Sequence, residues 1–275
     1  MIINLYLYFM KNLFTILILI TTLLPACRIS EKKPVSVPAP KNTALSQEIF
    51  DPLEEGYKLF WQDNFSGNEL DTTKWKTRGN GPRRIGYNDP SMVKVEDGNL
   101  YLMYDIKKDS IMGCAVGTQA TFNTTYGYFE CRARLQRGDG PWAAFWMQSP
   151  QISQGEDPAV YGAEIDIFEY FRGLGEDHMT HCIHWAYGPN QQSVGALNSE
   201  LEGLSKGFHT FALEWTPEKY AFFIDGLKYH ELSKGLSHID QYMILSMEIP
   251  SYLQGIKNAC APDTFIVDYV KVYKK

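Results

Sequence analysis

The sequence predicts an all-β fold, a jelly-roll sandwich of two antiparallel sheets. Three observations predict it. Short segments rich in β-branched and aromatic residues recur along the chain with turn residues between them. Asp97-Gly98 and Asp225-Gly226 each stand between two such segments as hairpin turns. No long stretch keeps a helical period, and many short strands with few helices close into a sandwich or barrel.

In chain order, residues 1–27 read as a secretory signal: Lys11, an apolar run from Leu13 to Leu24, then Pro25-Ala26-Cys27. The run is short for a membrane span. Leu24-Pro25-Ala26-Cys27 resembles a bacterial lipobox, so Cys27 is the expected lipidation site and the mature N-terminus. Residues 28–50 are polar, with Pro34, Pro38 and Pro40, and read as a flexible tether. Residues 51–275 form the expected single domain. This address predicts a secreted monomer, lipid-anchored to a bacterial membrane, with the outer membrane as the expected one.

The predicted strands are Asn99–Tyr104, Ala115–Phe122, Gly127–Leu135, Ala143–Gln148, Glu164–Tyr170, His181–Trp185, His209–Trp215, Tyr220–Ile224, Tyr242–Met247 and Phe265–Tyr273. A net charge of −6 with no basic stripe argues against a nucleic-acid partner. The 17 Tyr, 15 Phe and 6 Trp suit a core and also suit stacking against sugars. Besides Cys27 there are Cys114, Cys131, Cys182 and Cys260, which allow three complete pairings among which sequence does not choose. A hairpin around Thr124–Tyr126 would set Cys131 opposite Gln119 rather than Cys114, so buried thiols are expected. His178, His181 and His184 recur every third residue, but on a strand His181 points away from the other two, and no metal site is expected.

The segment that concentrates chemistry is Ala163-Glu-Ile-Asp-Ile-Phe-Glu-Tyr170. Alternation puts Glu164 and Asp166 on one strand face and throws Glu169 to the other. One extra residue near Ile167–Phe168, a β-bulge, returns Glu169 to the acidic face. Spacing alone admits two readings: a strand with three solvated acids, or the paired carboxyls that flank a glycosidic bond in glycosidases. In the second reading, Asp166 raises the pKa of the carboxyl that stays protonated.

Several further motifs stand in order along the chain. Trp61-Gln-Asp-Asn-Phe65 precedes Leu70-Asp-Thr-Thr-Lys-Trp75. Thr125-Tyr-Gly-Tyr-Phe-Glu-Cys-Arg-Ala-Arg134 precedes Gly140-Pro-Trp-Ala-Ala-Phe-Trp146. After the acidic strand come Phe208-His-Thr-Phe-Ala-Leu-Glu-Trp-Thr-Pro217 and Val267-Asp-Tyr-Val-Lys-Val-Tyr273. Together with Glu164–Glu169 in the bulged ExDxxE form, they resemble glycoside hydrolase family 16, of the laminarinase and β-glucanase kind, over residues 57–273. The resemblance implies an open substrate cleft on the concave sheet and retaining endo-hydrolysis of a β-linked polysaccharide. It makes Glu164 the nucleophile, Glu169 the general acid/base and Asp166 the orienting and tuning residue. The expected backbone is a β-1,3- or β-1,3/1,4-glucan. The alternatives are a β-galactan-type hydrolase, a transglycosylase on the same fold, or a non-catalytic glycan-binding lipoprotein.

Trp142 and Trp146 share a strand face and are expected in the cleft. His184 and Trp185 follow the acidic strand at hairpin distance and are expected near the cleaved residue. Laminarin-cutting relatives carry an Asn-Asn-Glu-Leu-type segment where this chain reads Gly81-Pro-Arg-Arg-Ile-Gly-Tyr-Asn-Asp-Pro90. Tyr87 and Asn88 are its expected subsite residues. Arg83 and Arg84 are open to a charged sugar or to surface acids, and Met247-Glu248 is expected near the cleft. No cofactor is required by this chemistry. The calcium of some relatives would fall near the acid before the first Phe and the Asp of the last strand; Asp268 is kept, but the usual Asp-Glu-Phe reads Asp63-Asn64-Phe65, where Asn64 offers an oxygen without the charge.

Overall fold

The structure, a computed structural model, describes residues 43–275 apart from 108–109, 252–255 and 257–258. The signal sequence, Cys27 and most of the tether lie outside the described residues. The end of the segment read as tether is docked on the domain. Leu45 N donates to Lys228 O (2.7 Å), Phe50 N donates to Gly226 O (2.9 Å), and the Phe50 ring stacks on Tyr128.

The strands in chain order are β1 (Lys58–Asp63), β2 (Lys76–Thr77), β3 (Gly81–Arg83), β4 (Gly86–Asn88), β5 (Val93–Glu96), β6 (Asn99–Lys107), β7 (Ser110–Gly117) and β8 (Gly127–Arg134). They continue with β9 (Trp142–Gln148), β10 (Glu164–Tyr170), β11 (His178–Trp185), β12 (Gln192–Glu200), β13 (His209–Trp215), β14 (Tyr220–Ile224), β15 (Leu227–Leu232), β16 (Tyr242–Glu248) and β17 (Asp263–Lys274). The only α-helical turn among the described residues is Pro158–Tyr161, started by the Asp157 side chain accepting from Ala159 N.

Two antiparallel sheets result. The first runs β15-β14-β13-β8-β17, with β1 and β6 sharing the far edge of the long β17, and β5 beyond β6. The second runs β2-β7-β16-β9-β10-β11-β12. β6 ends the first sheet and turns into β7 of the second, and a short β3–β4 hairpin attaches to β7. Asp97-Gly98 and Asp225-Gly226 turn as expected, all four residues at positive φ.

The core lies between the sheets and follows the alternation. Phe168 of the second sheet packs on Phe211 of the first with ring centroids 4.3 Å apart, and both are fully buried. Every residue of β14 is buried, as its unbroken apolar run dictates. Cys114, Cys131 and Cys182 are buried free thiols.

One expected strand is corrected. Ala115–Phe122 stops at Gly117, because Thr118 O takes the amides of Thr121 and Phe122 in a turn. Thr124–Tyr126 is therefore no hairpin. The chain leaves the second sheet after β7 and enters the first at β8, so Cys131 lies opposite Phe211 and Val270. An alternating apolar strand reads the same whichever sheet it joins.

Candidate active site

β9 and β10 build the floor of a cleft of about 550 Å³. Glu164 lies opposite Gln148, Asp166 opposite Trp146, and Glu169 opposite Ala144. Residues 144, 146 and 148 share one face by alternation, so the three acids share it too. The register skips Ile167, which is the expected bulge. Ile165, Ile167 and Phe168 are buried in the core while the acids line the cleft.

The bulge has a specific support. On the β11 side, Asp166 pairs with Cys182 and Glu169 with Thr180, leaving His181 alone opposite Ile167 and Phe168. The His181 ring turns into the space between the sheets, 5.0 Å from the Phe222 ring. Its Nδ1 lies 2.6 Å from Ile167 O and its Nε2 2.8 Å from Ser199 Oγ. A carbonyl only accepts, so Nδ1 carries the proton, and Nε2 accepts from the Ser199 hydroxyl. Burial pushes the His181 pKa down to about 3, which keeps the ring neutral.

The two glutamates sit in different surroundings. Glu164 Oε2 accepts from Gln148 Nε2 (3.0 Å) and from the Tyr187 hydroxyl. Tyr242 donates to Gln148 Oε1 (2.6 Å), which fixes the amide so that its nitrogen faces Glu164. Glu169 Oε1 accepts only from Trp142 Nε1 (3.0 Å) among the described residues. Burial raises the Glu169 pKa to about 7, with the Glu164 charge adding and the Trp142 hydrogen bond opposing. Asp166 is buried and pushed well up, first by desolvation, then by Glu169 and Glu164. The charge that raises Glu169 beside its burial is that of Glu164, and the pKa of Asp166 is itself raised.

The other expected residues divide. Trp142 and Trp146 reach the cleft, as do Asn88, Glu248, Arg83 and Arg84. Met247 points the other way and is fully buried. His184 stands beside the acids, its Nε2 3.4 Å from Asp166 Oδ2, with its pKa raised by the Cys182 thiol against the effect of burial. Trp185, one residue on, falls outside the expected place: it packs against the core beside Gly235 and does not line the cleft. Tyr87 is also corrected. It lies on the exposed side of the β3–β4 hairpin and does not line the cleft.

Sequence reading missed Gln148, Tyr187 and Arg78, all cleft residues. Gln148 was legible, because it continues the alternation of Trp142 and Trp146. Tyr187 and Arg78 come from chain just outside strands, where no period applies.

Around the residues expected near calcium, Asp268 and Asn64 with its neighbour Asp63, the carboxylates have partners within the chain. Asp63 accepts from Trp75 Nε1 (2.9 Å) and Lys74 Nζ (3.3 Å), and Asp268 pairs with Arg132. Cations of the chain hold both carboxylates. Asp166, Cys182 and His184 offer atoms within 4.8 Å of one another, and Asp166 and His184 stand beside Glu164 and Glu169 in the cleft floor.

A two-sheet β-sandwich with paired glutamates on the floor of an open cleft defines the glycosidase class of jelly rolls. The chain belongs to glycosyl hydrolases family 16, whose model matches residues 86–271. It is 26% identical to a glucan endo-1,3-beta-glucosidase A1 of Niallia circulans over 91% of this chain and 41% of that protein. It is 28% identical to a keratan-sulfate endo-1,4-beta-galactosidase of Sphingobacterium multivorum over 79% of this chain and 55% of that one. The chain therefore spans about half the length of these two relatives. Among solved structures it resembles a laminarinase from Flavobacterium sp. UMI-01, with TM-score 0.65 and 26% identity over 79% of this chain and 100% of that one.

Proposed function

We propose that this chain is a retaining endo-β-glycanase that cuts internal bonds of a β-linked polysaccharide. The observation that carries the reading is the bulge at Ile167, which brings Glu164 and Glu169 to one face in unlike surroundings. Glu169, held protonated up to about pH 7, is the general acid. Glu164, with one oxygen anchored by Gln148 and Tyr187, keeps the other for attack on the sugar carbon. The glycosidic C–O bond breaks as Glu169 gives its proton to the leaving oxygen, and a Glu164–sugar ester forms. Glu169, now ionised, takes a proton from water, which releases the sugar and restores both groups. Asp166 and His184 stand behind the pair and orient it.

The Niallia and Flavobacterium proteins, named for 1,3-β-glucan and laminarin, favour a β-1,3- or β-1,3/1,4-glucan backbone. The Sphingobacterium relative, named for a β-galactosidic bond, favours a β-galactan as the second reading. The N-terminal reading is carried with it: a lipoprotein tethered at Cys27, tested by fatty-acid labelling of wild type against Cys27→Ser.

The test is reducing-end release by the full chain from laminarin, lichenan, agarose, carrageenan, arabinogalactan and mucin glycans, beside Glu164→Gln. Release from a polymer that the variant does not cut supports the reading. Binding without release, or release that the variant retains, overturns it.

A further inference from the structure

The cleft wall beside Trp142 and Trp146 carries charge that the reaction does not use. Arg78 directly follows β2. Its backbone is pinned on two sides, with N donating to Ala115 O (2.7 Å) and O accepting from Asn88 Nδ2 (3.0 Å). Its guanidinium lies over the Trp146 ring at 5.2 Å and the Tyr242 ring at 5.5 Å. Nη1 is buried with no hydrogen-bond partner, and Arg78 makes no ion pair among the described residues. A desolvated cationic donor left unpaired is unfavourable, so a partner of opposite charge is the missing element.

Arg83 and Arg84 stand on the same wall and share one carboxylate, Glu248, at 2.9 and 3.1 Å. Three guanidiniums face Glu248 on this wall and Glu164 on the floor, and three minus two still leaves one positive charge in excess. Both tryptophans expected to stack on sugar are capped: Arg78 lies over Trp146 and Arg84 over Trp142, the latter at 4.6 Å. A neutral sugar seated flat on either ring would displace a cation–π contact, whereas an oxyanion on the sugar would add to it. The planar guanidinium fork matches such an oxyanion with two parallel hydrogen bonds. Of the acids across the floor, burial raises the pKa of both Asp166 and Glu169, which weakens their opposition to an anion.

We propose that Arg78, with Arg83 and Arg84 beside it, forms a subsite for an oxyanion borne by the polysaccharide, a sulfate ester or a uronate carboxylate. This rests on the reading of the cleft as a glycanase site and names the substituent that the substrate carries; it holds for either backbone.

Binding separates the two ideas. The full chain with Glu164→Gln is titrated with unmodified, sulfated and C6-oxidised forms of a β-1,3-glucan and of a β-galactan. The expected result is at least about tenfold tighter binding of one anionic form than of its unmodified parent. Arg78→Gln removes the preference, Arg78→Lys restores part of it, and raising salt from about 50 mM to about 500 mM weakens it. The sulfated and oxidised arms tell which oxyanion the subsite takes. Equal or tighter binding of both unmodified parents overturns the proposal, as does an Arg78→Gln variant that keeps the preference. Reducing-end release by wild type is read on the same polymers. Release with no anion preference sinks the subsite and leaves the glycanase. Anion-dependent binding with no release from any polymer does the reverse.

Discussion

Replacing His181 should cost both stability and turnover, by separable routes. His181→Phe keeps the packing on Phe222 but removes both ring nitrogens. It leaves Ile167 O and Ser199 Oγ buried without their partners. Each orphaned group costs about 1–3 kcal/mol, so the variant should lose about 2–6 kcal/mol, against a usual total of about 5–15. Ile167 is the bulge residue, so loosening its carbonyl shifts Glu169 relative to Glu164, and a misplacement of about 1 Å costs about 100-fold in kcat. His181→Asn puts an amide N–H where Nδ1–H was and should recover most of the turnover but only part of the stability. A pH arm isolates the ring itself. The His181 pKa is about 3 in the folded protein and about 6.5 unfolded, so unfolding takes up a proton between those values. Wild type therefore loses about 1.4 kcal/mol per pH unit at this site as pH falls below about 6.5, and His181→Asn does not. The stability gap between the two should narrow on acidification. Urea denaturation at pH 7, 6, 5 and 4, with kcat and KM on the cleaved polymer, measures all of this. If His181→Phe unfolds more readily yet keeps wild-type kcat, the ring packs the core and does not hold the bulge. A gap that stays constant with pH would refute the buried neutral histidine.

Three further outcomes are expected. Activity should fall as pH rises through about 7, where Glu169 loses its proton, and Trp142→Phe should move this limb upward, because it removes the hydrogen bond that favours the ionised form; a limb that stays in place or moves down, read from kcat/KM against pH, contradicts the assignment. Glu164→Gln should lower kcat by at least about 1,000-fold while the protein keeps its melting temperature, as scanning calorimetry and reducing-end assays would show. Trp185→Ala should destabilise by about 2 kcal/mol or more without changing KM, because the ring packs on the core side of β11; a raised KM at unchanged stability would return Trp185 to the cleft.

Sequence alone determined what depends on local period. Alternation in a strand is a property of the backbone, so Glu164 and Asp166 had to share a face once β10 was a strand, and the apolar Ile165 and Ile167 had to claim the other side. The bulge followed from requiring Glu169 on the acidic face, and the same alternation placed Trp142 and Trp146; it also reaches Gln148, which the sequence reading did not pick out. Asp97-Gly98 and Asp225-Gly226 named their turns because few residue pairs tolerate positive φ. Tertiary structure decided whatever depends on chain brought from a distance. Which sheet β7 and β8 join is not written in either strand, and the Thr124–Tyr126 hairpin failed for that reason. Tyr187 reaches Glu164 from the chain after β11, and Arg78 reaches Trp146 from the end of β2, neither governed by a period. The Glu169 pKa also belongs here. Sequence shows which charges stand nearby, but desolvation is set by how deeply the second sheet, its loops and Trp142 enclose the carboxyl, and that enclosure exists only in the folded chain.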